Sequence, residues 1–345
     1  MKSIAFIIPY FGRFNNYFQL WLNSCAANPT IDWFIFTDDK EAYDYPPNVH
    51  VNYTTLSEVK RRVEVALDCQ VCLERPYKLC DFRPFYGIIF AEELKNFDFW
   101  GYCDIDLIWG DIRHFLSDDL LIKYDKIFCF GHCTLLRNTA IINHFFTLQA
   151  KGVIPWQKVV SEPFFFQYDE FDQINGIFEK HFSARFCRAS VAFDARYDKR
   201  SLRPSEATKN IVGVKDLEYL FMWREGKLLG YYCEKDGIIH KQEFMYLHLQ
   251  KRKMINTIAR QESVSFFLIL HNRFIRGTEV TTENLHYFMS GHSLRPYRLK
   301  ESIRHIMNIL FDNYVQKPYF RGSVSYWVDK ALGRSRKYDY RYRNK

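Results

Sequence analysis

Residues 3–8 form an apolar run that stops at Pro9, with Gly12 close behind. Hydrophobicity without alternation, ended by a turn signal, predicts a strand buried on both faces that opens into a loop. Residues 14–27 change to helical spacing, with Phe18, Trp21, Leu22 and Cys25 along one side. A second short apolar run, 32–36, ends in Thr37-Asp38-Asp39. Strand, helix, strand is how an α/β layer with a parallel sheet begins.

The pattern continues with helices over 56–67 and 83–94, the latter with Pro84 in its first turn. A third apolar strand, 97–103, runs straight into Asp104-Ile105-Asp106. Further strands are expected at 126–130 and 133–136, and helices at 139–149 and 171–181. Beyond about residue 190 the texture changes. Segments 217–223 and 228–233 flank Glu225-Gly226-Lys227 as a β-hairpin, and 244–249 and 265–270 read as strands. Two helices are expected in the tail, at 299–314 and 323–332. No internal repeat interrupts this order.

The chemistry concentrates where the third strand ends. Residues i and i+2 of a strand face the same way, so Asp104 and Asp106 are expected side by side at the carboxyl edge of the sheet, where open α/β sheets bind ligands. Two adjacent carboxylates repel, and a hard divalent cation relieves that repulsion. Oxygen donors favour Mg²⁺ or Mn²⁺. Displacement of a phosphate-bearing leaving group is the reaction that wants this arrangement. Upstream, Lys78, Asp81 and Arg83 form a polar cluster before a helix. A cation there suits a phosphate and an Asp suits a sugar or ribose hydroxyl; a helix cap with a surface ion pair is the alternative.

The order Lys-x-x-Asp-x-Arg, helix, aromatic strand, Asp-x-Asp resembles the GT-A glycosyltransferases. The block over 77–115, with Asp98-Phe99-Trp100-Gly101-Tyr102-Cys103-Asp104-Ile105-Asp106 and Gly110-Asp111-Ile112-Arg113, is similar to a bacterial glycosyltransferase-like group associated with polysaccharide biosynthesis. The resemblance spans roughly 3–250 and is strongest over 77–138. It implies a GT-A, Rossmann-like α/β fold with a mixed, mainly parallel sheet. It further implies a catalytic domain over 1–290, with a nucleotide-sugar half (1–130) and an acceptor half (131–290), and a basic helical tail over 291–345.

The same resemblance implies roles for single residues. Pro9, Tyr10 and Asp38 match nucleotide-holding positions, with Asp39 the alternative to Asp38. Asp104 and Asp106 hold the metal, with His248 as third ligand, and Lys251 reaches the diphosphate. Gly131, His132 and Arg137, in the segment 131–138, belong to the acceptor side. The segment 169–173, at a helix start, is likewise similar to the acceptor side, and in it Glu170 or Asp172 faces the reacting carbon or the acceptor hydroxyl, as general base in an inverting enzyme or as stabiliser or nucleophile in a retaining one. The implied donor is a uridine diphosphate sugar, and the acceptor a surface polysaccharide or lipid-linked glycan.

Charge sharpens this picture. The net charge is +8, yet 291–345 holds 13 Lys/Arg against 4 Asp/Glu, which leaves the other residues near neutrality at −1. A basic tail fits an anionic membrane surface or a solvated helical face, whereas a neutral body argues against a nucleic-acid track. The nine cysteines are odd in number, and Cys69-x-x-Cys72 with Cys80 lacks the second ligand pair of a zinc site. Cys103, Cys129 and Cys133 read as small buried residues, and the whole as a chain of a reducing compartment. No run approaches the roughly 18 apolar residues of a membrane span, and the first residues do not read as a signal peptide. A cytoplasmic enzyme, peripheral at the inner face of the plasma membrane, is the resulting expectation. Two other classes remain open: a metal-dependent phosphoryl-transfer enzyme or nuclease on the Asp-x-Asp site, and a non-catalytic glycan-binding protein on the same fold.

Overall fold

The opening apolar run becomes β1 (Ile4–Tyr10), in which Ile4 to Ile8 are all buried. It lies between β2 (Ile31–Thr37), itself flanked by β3 (Val49–Tyr53), and β4 (Phe99–Cys103), all four strands parallel. The computed structural model describes residues 1–289 apart from 197–198, 235, 251 and 259–264. The chain divides into two compact units. One joins Met1–Pro163 to Gln167–Met289, and the other joins Phe164–Phe166 to Ser290–Lys345. The expected tail helices fall outside the described residues.

Helix α1 (Phe18–Ala26) buries the Phe18, Trp21, Leu22 and Cys25 side that its spacing marked. Those side chains share a core with Ile4, Phe6 and Ile8, the alternate residues on one face of β1. Helix α2 (Leu56–Leu67) starts at Thr55, whose side chain accepts from Glu58 N, and it buries Val59, Val63 and Leu67 at four-residue spacing.

Beyond β5 (Leu107–Trp109), β6 (Lys126–Phe130), β7 (Cys133–Arg137) and β8 (Phe186–Cys187) complete a seven-stranded sheet of order β3-β2-β1-β4-β7-β6-β8. Its one reversal is β7, antiparallel to both β4 and β6. The fold is therefore mixed α/β with a mainly parallel central sheet. Cys103 and Cys133 face each other across β4 and β7 and are buried, whereas Cys129 is only half-buried; all nine cysteines are free.

The later strands make two further sheets. A three-stranded sheet sets β13 (Tyr246–His248) between β5 and β9 (Phe193–Asp194). A six-stranded sheet begins with the expected hairpin, β10 (Leu220–Arg224) and β11 (Lys227–Cys233). Its turn residues Glu225 and Gly226 both have positive φ, 48° and 83°, the conformation that matches strand twist in a two-residue hairpin. The sheet continues with β12 (Ile239–Glu243), β14 (Ile255–Asn256), β15 (Phe266–Ile269) and β16 (Arg273–Arg276).

Three expected helices change form. In place of one helix over 83–94 there is a 3-10 segment, Pro76–Phe85, followed by two single-turn α-helices, Tyr86–Ile89 and Ala91–Leu94. Pro84 lies inside the 3-10 segment, where its missing N–H bars an α-helical ladder. The helix over 139–149 stops at Asn143, and Phe145–Thr147 is again 3-10. Asn143 accepts from Trp100 Nε1 at 2.7 Å, and Phe145 and Phe146 are buried. The helix expected from residue 171 begins at Ile174, because 167–173 form a turn with Gln167 and Phe171 at positive φ. Among the described residues no helix is long and apolar enough to cross a membrane.

Candidate functional site

β4 delivers the chain to a bend at 104–106, so the two carboxylates converge through a turn and not through the pleat of a strand. The bend is pinned at three points. Asp104 N donates to His132 O at 3.1 Å, Leu249 N donates to Asp106 O at 2.9 Å, and Asn15 Nδ2 donates to Ile105 O at 3.1 Å. β5 then pairs with β13 so that Leu107 lies opposite His248. His248 Nε2 ends 3.8 Å from Asp104 Oδ2 and 3.5 Å from Asp106 Oδ1. One donor atom from each of the three lies within 4.8 Å of the others. Two carboxylates and one imidazole suit an oxygen-preferring divalent ion that tolerates nitrogen, such as Mn²⁺, and also fit Mg²⁺.

The electrostatics favour positive charge here. Burial works to lower the pKa of His248, but Asp106 and Asp194 outweigh it and push it up to about 10. Neighbouring His132 goes the other way, to about 4, through burial and then the charge on His248. The acidic side chains thus hold positive charge at His248, as a proton that a divalent ion would displace, while His132 stays neutral.

Arg83 forms the second half of the site. Its guanidinium contacts Asp104 Oδ1, donates to Asp169 Oδ2 at 2.8 Å and donates to Gly131 O at 2.6 Å. Asp169 is almost wholly buried, and its Oδ1 has no hydrogen-bond partner among the described residues. Burial raises the pKa of both Asp169 and Glu170, more than Arg83 lowers them. Gly131 leaves room for the two carboxylates: a Cβ there would lie 2.9 Å from Asp169 Oδ2 and 3.0 Å from Glu170 Oε2. Gln167 and Phe171 bracket the pair at φ 54° and 52°, conformations costly for residues with a Cβ.

The other expected residues separate into those near this centre and those away from it. Tyr10 stacks on Phe14 with ring centroids 5.0 Å apart and feels the charge of Asp106. Pro9 precedes it on β1, opposite Phe36. Asp38 accepts from Gly12 N at 2.7 Å, and Asp39 accepts from Phe14 N at 2.9 Å, so both carboxylates shape the loop after β1. The His132 ring lies 4.3 Å from that of His248, tilted by 30°. Lys78 and Asp81 are buried and paired at 3.0 Å. Lys78 also donates to Val159 O at 2.7 Å, while Asp81 accepts from Tyr168 N at 2.9 Å. Their visible work is to anchor the turn that carries Asp169. Arg137 ends β7 opposite Phe99, at the other end of β4 from Asp104, and it grips Asp125 and the carbonyls of 121, 122 and 124. Asp172 is exposed, in the turn before the helix. Lys251 lies outside the described residues.

Residues 6–278 match a family of unknown function, DUF6625. The chain belongs to that family. No curated protein matches it. Among solved structures, this DUF6625 chain is similar to the glycosyltransferase GlyE of Streptococcus pneumoniae TIGR4, at 12% identity and a TM-score of 0.27, over 55% of this chain and 44% of that one. It therefore spans less than half the length of GlyE. It is also similar to the galactosyltransferase LgtC solved with donor and acceptor sugar analogs, at 13% identity and a TM-score of 0.29 over 56% of this chain and 75% of that one. A third similar structure is mouse xyloside xylosyltransferase 1, at 7% identity and a TM-score of 0.32 over 56% of this chain and 86% of that one.

Asp194 of this DUF6625 chain carries no signal in the sequence, because it stands alone in an unpatterned stretch. Asp169 opens the acidic run 169–173 that the resemblance assigns to the acceptor side, a run that also reads as a helix start.

Proposed function

We propose that the chain is a metal-dependent glycosyltransferase that moves a sugar from a nucleotide donor to a glycan acceptor. One observation carries the reading: the donor atoms of Asp104, Asp106 and His248 meet within 4.8 Å at the carboxyl end of β4. Arg83 and the unpartnered Asp169 Oδ1 adjoin the same place. A divalent ion bound there would neutralise the diphosphate charge that grows as the glycosidic bond breaks.

The chain's own residues supply the rest. Tyr10 offers the ring face not covered by Phe14 to the base of the nucleotide, and Asp38 holds the loop beside it. Arg83 orients Asp104 and keeps the surroundings of Asp169 polar. Asp169 Oδ1, buried without a partner, suits a sugar hydroxyl, since an orphaned buried acceptor is costly until a donor arrives. Glu170 is preferred over Asp172 as the reacting carboxylate, because it lies against Gly131 and senses both Arg83 and Asp104. It takes the acceptor proton if the configuration inverts, or faces the developing cation if it is retained. The donor we favour is a uridine diphosphate sugar. His132 and Gly131 stand where the acceptor approaches.

Thermal shift with UDP and Mn²⁺ is the first test, since a ligand that binds only the folded state raises Tm. Release of nucleoside diphosphate from a panel of nucleotide sugars is the second. Both responses are expected in the wild type and lost in Asp106→Ala. Mn²⁺-dependent cleavage of phosphodiesters with no use of any sugar donor would replace this reading with a phosphoryl-transfer one.

A further inference from the structure

Among the described residues, two sets of candidate ligands share His248: Asp104 with Asp106, and His132 with Asp194. They differ in geometry. The rings of His132 and His248 lie 4.3 Å apart and 30° from parallel. In the second set His132 Nδ1 is engaged by the Tyr246 hydroxyl. His248 Nδ1 lies 2.7 Å from Asp194 Oδ1. An ionised carboxylate only accepts, so that nitrogen carries its proton. Nε2 is the nitrogen that faces Asp104 and Asp106.

We propose that Asp194 is the positioning residue of the metal site: by accepting from His248 Nδ1–H it fixes the tautomer and tilt of the ring, so that the Nε2 lone pair meets the ion. The inference rests on the metal reading above and extends it to a residue that touches neither ion nor substrate.

The surrounding structure holds this one contact in place from several sides. β9 and β13 pair in parallel with Asp194 opposite His248, and Ala195 N donates to His248 O at 3.1 Å. The backbone of Asp194 is secured at both groups, by Thr208 Oγ1 at 2.8 Å from its N and by Ser205 N at 2.8 Å from its O. Gln250 Nε2 donates to Asp194 Oδ1 at 2.6 Å. Gln250 sits two residues after His248 in left-handed backbone, φ 53°, so the chain accepts strain where it turns to steady that carboxylate. His132 covers a face of the His248 ring, and its own Nδ1 lies 3.0 Å from Tyr246 Oη. A carboxylate on the far nitrogen of a ligating imidazole raises the basicity of the ligand and fixes its aim, and its loss lowers metal affinity about 10–100-fold.

Mn²⁺ binding to the full-length protein tests this, with affinity read from the free-ion EPR signal and imidazole ligation read from nitrogen coupling in pulsed EPR. The wild type is expected to bind Mn²⁺ with nitrogen coupling. In Asp194→Ala the affinity falls about 10–100-fold and the coupling is lost, while Asp104 and Asp106 retain what ion remains. Asp194→Asn keeps the shape and an oxygen for Nδ1–H, so it restores the coupling at intermediate affinity. A residue that only braces the fold would lower Tm and leave affinity and coupling unchanged, and that result overturns the proposal. Should Asp194→Ala not fold, Asp194→Asn decides: weaker Mn²⁺ binding supports the proposal and wild-type affinity overturns it. Wild-type binding without nitrogen coupling overturns the role of Asp194 and leaves a carboxylate metal site standing. No Mn²⁺ binding by the wild type overturns the metal reading and this inference with it.

Discussion

At the scale of single residues, Asp106→Ala is expected to abolish the thermal shift with UDP and Mn²⁺, because the site depends on three side chains whose donor atoms meet within 4.8 Å. Asp104 and Asp106 announce themselves because an apolar strand ends on them, a pattern contained in ten residues. Arg83 stands out in the polar cluster before a helix, His248 and Asp169 only through resemblance, and Asp194 through neither route. What makes Asp194 matter is a partner 54 residues away, which no local pattern records. Gly131 shows how small the decisive feature is. Added bulk there meets the ends of two side chains and no backbone, so Gly131→Ala is expected to fold with a Tm close to wild type. Displacing Asp169 and Glu170 by a few tenths of an ångström or more is expected to lower transfer up to about a hundredfold. Tm and turnover measured on one preparation separate the two effects.

At the scale of elements, period and caps were enough for long, self-contained pieces. α2 spans the expected residues because a Thr cap, an apolar stripe and a clean end agree. Elements shaped by tertiary demands departed from their local pattern. The segment 76–94 breaks into short turns so that Lys78, Asp81 and Arg83 reach partners far along the chain. The two- and three-residue strands β5, β8 and β9 are too short to show a period at all, yet β5, β9 and β13 are what bring Asp106, Asp194 and His248 together. The central sheet has a pressure point of its own. A Cβ at Gly101 of β4 would lie 2.5 Å from the backbone O of Thr134 on β7. Backbone within a paired sheet yields little, so Gly101→Ala is expected to destabilise by about 1–3 kcal/mol. Urea unfolding checks this, with a lower midpoint and an unchanged slope.

At the scale of the whole molecule, stability is tied to pH through Lys126. Its side chain is fully buried, donating to Phe128 O at 2.6 Å and Asn175 Oδ1 at 2.8 Å, and burial lowers its pKa to about 7. The unfolded chain keeps that lysine charged up to its ordinary value near 10.4. Between the two values the unfolded state binds the extra proton, so the contribution of Lys126 to stability rises as pH goes from about 7 toward 10, by at most about 1.4 kcal/mol per pH unit. His248 works the other way over that range, since its raised pKa keeps the extra proton in the fold. Lys126→Met is expected to remove the lysine's share, so stability gains less or falls more with pH than in the wild type in urea titrations at pH 7, 8 and 9; an equal slope in both proteins rejects the assignment. The turn at 167–171 bears on the molecule as a whole in another way. Gln167 and Phe171 are held in left-handed backbone to either side of Asp169 and Glu170, at a cost of about 1–2 kcal/mol each. Glycine at either position would relax that tension and leave the acids free to wander, so an engineer selecting for hardiness alone would tend to arrive at a tougher protein with a blunted tool.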